Sequence, residues 1–125
     1  MISMRKQIAL SAGALIAASV TLAATSSYAI PRYDGLWSVS IVTVKGDCIA
    51  SYRYPMRIAN GVLGNGGDVA LNVSGRVLGD GAVKVALSHG DTHAIAFGHL
   101  AANKGHGSWK TSSCSGSWTA ERRSL

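Results

Sequence analysis

The sequence predicts an all-β domain, a small antiparallel β-barrel or sandwich of about eight short strands closed by one disulfide. Three observations lead there. Turn-forming clusters recur along residues 30–125: Gly46-Asp47, Asn60-Gly61, Gly66-Gly67-Asp68, Gly79-Asp80-Gly81 and Gly90-Asp91. The runs between them are rich in Val, Ile, Tyr, Trp and Thr and alternate with period two. No stretch of this region carries a sustained helical period with caps.

The first element stands apart. Arg5 and Lys6 precede an apolar run from Ile8 to about Ala24, and small residues follow at Ser27 and Ala29. That order predicts a secretory signal peptide over residues 1–29 and a single secreted domain over 30–125. Ser11, Gly13, Ser19 and Thr21 interrupt the apolar run, which is short for a spanning helix, so no membrane span is expected after cleavage.

In the first strand, Leu36 to Val44, the residues Trp37, Val39 and Ile41 share a face. The second, Cys48 to Ile58, sets Tyr52, Tyr54, Met56 and Ile58 against Ser51, Arg53, Pro55 and Arg57. Pro55 has no N–H to donate, which predicts an edge or a bulge there. Val69, Leu71 and Val73 alternate with polar or small residues, as do Val83, Val85 and Leu87. From Thr92 to Leu100 one parity holds Ala94, Ala96, Gly98 and Leu100, and the other holds His93, Ile95, Phe97 and His99. Histidines are costly to bury without partners, so the small residues are expected inside. Ile95 and Phe97 then form part of an exposed patch.

A weak internal repeat marks both ends of the domain. Gly35-Leu36-Trp37, Gly107-Ser108-Trp109 and Gly116-Ser117-Trp118 share a G-x-W pattern, and core packing is the expected role of these tryptophans. The G-x-W opening after Asp34 resembles the first strand of calycin-type barrels, the lipocalins and avidins. The chain from Asp34-Gly35-Leu36-Trp37 to Cys114-Ser115-Gly116-Ser117-Trp118-Thr119-Ala120-Glu121-Arg122-Arg123 is also similar to short secreted alphaproteobacterial β-rich proteins of unassigned function. The first resemblance implies a barrel; the second implies no chemistry.

The whole chain has 12 Lys and Arg against 6 acids. Removing Arg5 and Lys6 with the leader leaves ten against six, a net charge of +4. That favours anionic partners such as phosphorylated cell-surface glycans and does not call for nucleic acid. Cys48 and Cys114 are the only cysteines, and in an oxidising compartment they are expected to pair. Their spacing lacks the close arrangement of redox or zinc pairs.

Catalytic patterns are not found. Asp34, Asp47, Asp68, Asp80 and Asp91 each stand beside a glycine, as turn-forming aspartates do. No serine lies in G-x-S-x-G or S-x-x-K, and no glycine-rich loop opens a helix. His89, His93, His99 and His106 cluster in sequence. His106 is expected near His99 across a hairpin, and His89 near His93 through the Gly90-Asp91 turn, with Asp91 as an oxygen ligand; such a set suits zinc or copper.

The expectation is a non-enzymatic secreted or periplasmic binding module without a cofactor. Its partner would be an envelope component, a glycan or a protein, met by Arg53, Arg57 and Phe97. One alternative is a protease inhibitor that uses Ile30-Pro31-Arg32-Tyr33 as an exposed arm. Another is metal or haem binding through the histidines.

Overall fold

Eight antiparallel strands, each hydrogen-bonded to the next, close into an up-and-down barrel in the computed structural model, which describes residues 32–125. The predicted leader and the first two residues of the expected arm lie outside them. The strands are β1 (Gly35–Lys45), β2 (Ser51–Ala59), β3 (Val62–Asn65), β4 (Asn72–Val77), β5 (Ala82–His89), β6 (Thr92–Ala101), β7 (Lys104–Lys110) and β8 (Ser115–Ser124). β8 returns to pair with β1. Among the described residues, no helix is long and apolar enough to cross a membrane.

Period-two alternation decides what fills the barrel. Trp37, Tyr54, Met56, Ile58, Leu63, Val83, Val85, Ala96, Leu100, Trp118 and Ala120 are buried together. On β6 the small residues face inward, as expected, because Trp118 needs their space. A Cβ on Gly107 would lie 2.7 Å from Trp118 Cε2, and one on Gly98 would overlap the same indole. Gly98 and Gly107 are register partners, so one glycine pair forms the bed of the ring. The indole N–H of Trp118 donates to Phe97 O at 3.1 Å. The three tryptophans of the repeat are therefore packing residues, with Trp37 only 1% exposed.

One end of the barrel is closed by a residue whose role follows from parity. Trp118, Ala120 and Arg122 point the same way along β8, so Arg122 enters the barrel end. Its guanidinium lies 5.1 Å from the Trp37 ring centroid. Its terminal nitrogens donate to Asp34 O at 2.7 Å, Arg32 O at 2.9 Å and Ala102 O at 3.2 Å. Tyr33 is buried beside it, and Tyr33 O accepts from Trp37 Nε1 at 2.9 Å. This corrects the expected arm: Arg32 is tied through its carbonyl and Tyr33 belongs to the core.

At the other end a bond links Cys48 to Cys114, with Cα atoms 6.3 Å apart. It joins the β1–β2 loop to the β7–β8 loop.

Two local expectations change. Barrel closure leaves β2 without an edge, and its register with β1 runs unbroken through Pro55. Pro55 O accepts from Gly66 N at 3.1 Å, so the missing N–H faces the side where the β3 ladder has already stopped at Asn65. The run beginning at Val69 becomes strand only at Asn72, because the Asn65 amide donates to Val69 O at 2.6 Å and to Leu71 O at 3.3 Å and holds that stretch as a loop. The β6–β7 hairpin turns at Ala102-Asn103, which carries no glycine, and Ala102 sits at φ 56°. Left-handed backbone costs an L-residue roughly 1–2 kcal/mol. Ala102→Gly should therefore raise stability by about 0.5–1 kcal/mol after its greater unfolded freedom is counted. A thermal melt should show the midpoint rising by roughly 2–8 °C.

Candidate binding surface on the outer wall

The barrel separates its charges. Asp34, Asp47, Asp68, Asp80 and Asp91 all lie in the segments between or before strands, at the two rims. Asp34 accepts from Asn60 N at 2.6 Å and from Gly61 N at 3.0 Å, and Asp80 from Ala82 N at 2.9 Å. Turn chemistry thus uses the carboxylates where the backbone needs acceptors. Nine of the ten Lys and Arg in residues 32–125 lie on strands, and all of those but Arg122 are exposed. Glu121 is the one acid on a strand among the described residues. The wall is cationic and the rims are anionic.

On that wall a transverse row crosses five strands. Arg53 on β2 pairs with Ser40 on β1, Ser40 with Thr119 on β8, Thr119 with His106 on β7, and His106 with His99 on β6. Neighbouring strands lie about 4.8 Å apart, so the row extends roughly 19 Å around the barrel. Short hydroxyl side chains in its middle and long ones at its flanks make a groove in a surface that would otherwise be convex. Its volume is about 740 Å³, and Lys104 and Glu121 stand along its edge. The His99 ring also lies 3.0 Å from Asp80 O.

Arg53 lies in the groove and Arg57 outside it, one further outward position past Pro55 and opposite Leu36. The two arginines stand four positions apart on one strand, a backbone spacing of about 13 Å, so both can meet one flat surface. Phe97 lies outside the groove, one outward position before His99 on β6, and there Lys84 Nζ lies 5.7 Å from its ring centroid. His99 and His106 come together across the β6–β7 ladder as expected. His89 takes the inward parity of β5, with its Nδ1 2.6 Å from Ala70 O, whereas His93 takes the outward parity of β6 opposite Ser88. Asp91 is exposed in the turn between them. Among the described residues, no group of three or more His, Cys, Asp or Glu is placed to hold a metal ion.

No family model, curated protein or solved structure matches this chain. Nothing in residue order marks Ser40, Thr119 and Lys104, because only strand register brings them to the groove that Arg53 lines. The interior offers little polar chemistry: desolvation pushes the phenol pKa of Tyr54 upward, and the Tyr54 hydroxyl donates to Asn65 Oδ1.

Proposed function

We propose that the protein is a non-enzymatic binding module of a secreted or periplasmic compartment, recognising an anionic envelope glycan on its outer wall. The observation that carries this reading is the separation of charge, with exposed cations along the strands and carboxylates held in the turns. The groove adds the right chemistry for a charged sugar. Ser40 and Thr119 offer hydroxyl donors and acceptors along its floor, and Arg53 supplies a planar fork suited to phosphate or carboxylate. The barrel interior is filled by side chains, which favours the wall over the lumen as the place of contact. The Cys48–Cys114 bond suits an oxidising compartment.

A heparin oligosaccharide serves as the polyanionic probe, measured calorimetrically against disulfide-intact protein, with neutral dextran as the control. Binding should occur with the first alone and weaken as salt rises. Arg53→Ser combined with Lys104→Ser should weaken it at least about tenfold. Each exposed substitution should move stability by less than about 0.5 kcal/mol. Equal binding of dextran, or unchanged affinity in the double variant, would remove the groove from this reading.

A further inference from the structure

A second concavity, of about 900 Å³, opens on another flank of the barrel where β3 meets β4. This seam has the shortest ladder. β3 has four residues, and it shares with β4 the single register pair Val62↔Arg76, whereas every other seam has at least four such pairs. Core side chains Leu63, Val73 and Val83 consequently reach the concavity from within.

The outer residues form one row across four strands. Val62 pairs with Arg76, Arg76 with Lys84, and Lys84 with Phe97. Arg76 and Lys84 are thus directly opposed like charges, an arrangement that destabilises a sheet. No carboxylate neighbours them in the ladder: the diagonal positions are Ser74, Leu78, Ala82 and Ala86. Asp80, the nearest acid along the chain, is held by its own turn. Apolar surface flanks the two cations, with Val62 42%, Phe97 43% and Leu78 59% exposed. Two features that each cost something alone, paired cations without a counter-charge and exposed apolar groups, meet at one hollow.

We propose that this hollow binds an anionic amphiphile: a carboxylate or phosphate bridged by Arg76 and Lys84, with a hydrocarbon tail laid over Phe97, Val62 and Leu78 toward the open seam. Charge complementarity selects the sign of the head group, since an anion relieves the Arg76–Lys84 repulsion. The apolar residues demand a tail, because a bare anion would leave them in water. The site adjoins the groove around Arg53 along β6 but shares no lining residue with it.

Dodecyl phosphate, kept below its micellar concentration, is the probe. Inorganic phosphate and dodecyl maltoside separate head from tail. Titration of isotope-labelled, disulfide-intact protein should shift the amide signals of Val62, Arg76, Lys84 and Phe97 with dodecyl phosphate, and much less with either control. Shifts centred on the barrel rims, or equal response to dodecyl maltoside, would overturn the proposal.

Arg76→Glu gives two opposed readouts. It replaces a like-charge pair by an opposite-charge pair, so the melting midpoint should rise by roughly 2–5 °C, while affinity for dodecyl phosphate should fall at least about tenfold. A variant with unchanged affinity refutes the site. Lys84→Glu is the second variant: it should lose dodecyl phosphate in the same way, and retention of binding by that chain would equally refute it. Arg53→Ser with Lys104→Ser should leave this binding unchanged, so the glycan reading and the amphiphile site can fail separately.

Discussion

Gly107→Ala should cost the barrel at least about 3 kcal/mol, because the added methyl group has nowhere to go. Its Cβ would overlap Phe97 O on the neighbouring strand and lie 2.7 Å from both Gly98 Cα and Trp118 Cε2. Two of those three atoms are backbone of β6, and they can yield only if the β6–β7 ladder parts. A domain of this size has about 5–15 kcal/mol of total stability, so the loss is a large fraction of it. Gly105→Ala makes the informative comparison. There the closest atom is the tip of the Leu100 side chain, with His99 O at 3.2 Å and Trp118 Cζ3 at 3.3 Å. A side-chain tip can rotate away, so Gly105→Ala should cost clearly less. Urea midpoints of the two variants test the ordering. Trp118→Phe should not rescue Gly107→Ala, since the overlap with Phe97 O remains; full rescue would mean that the indole alone sets the glycine requirement.

Much of this architecture was legible in residue order, and the illegible part has a common cause. Alternation along β1, β2, β5 and β6 identifies the inward faces because each strand has one buried side. The Gly90-Asp91 and Asn60-Gly61 turns were equally clear, since positive φ favours glycine and asparagine. Ala102 escaped because its left-handed backbone is imposed by the ladders on either side, against its own preference. Arg122 escaped because a charged residue near a chain end reads as solvated. Its parity with Trp118 and Ala120 already placed it inward, and stacking on Trp37 with carbonyl acceptors makes that position tolerable. Transverse neighbours are the deeper limit. Arg53, Ser40, Thr119, His106 and His99 span most of the domain in sequence, and only the register of five strands sets them in one row.

Converting Cys48 to Ser and Cys114 to Ala together should lower stability by roughly 2–5 kcal/mol. The bond closes a loop with a sequence separation of 66, for which the chain-entropy model gives about 4 kcal/mol. Local packing adds to this. Cys114 is buried, its N–H donates to Thr111 Oγ1 at 2.9 Å, and a Cβ on Gly46 would lie 2.6 Å from its sulfur. The two hairpins joined by the bond are β1–β2 and β7–β8, whose strands carry Arg53, Ser40, Thr119 and His106. Loss of the bond should therefore weaken heparin binding even at temperatures where the variant remains folded, because the outer row is assembled from both hairpins. Binding to the Arg76–Lys84 hollow should change much less, since β3 to β6 lie outside the stapled hairpins. Urea unfolding gives the first quantity and calorimetry at low temperature the second. A variant that keeps its urea midpoint would show that the β1–β8 ladder alone closes the barrel; a destabilised variant with undiminished heparin affinity would show that the row keeps its geometry without the bond.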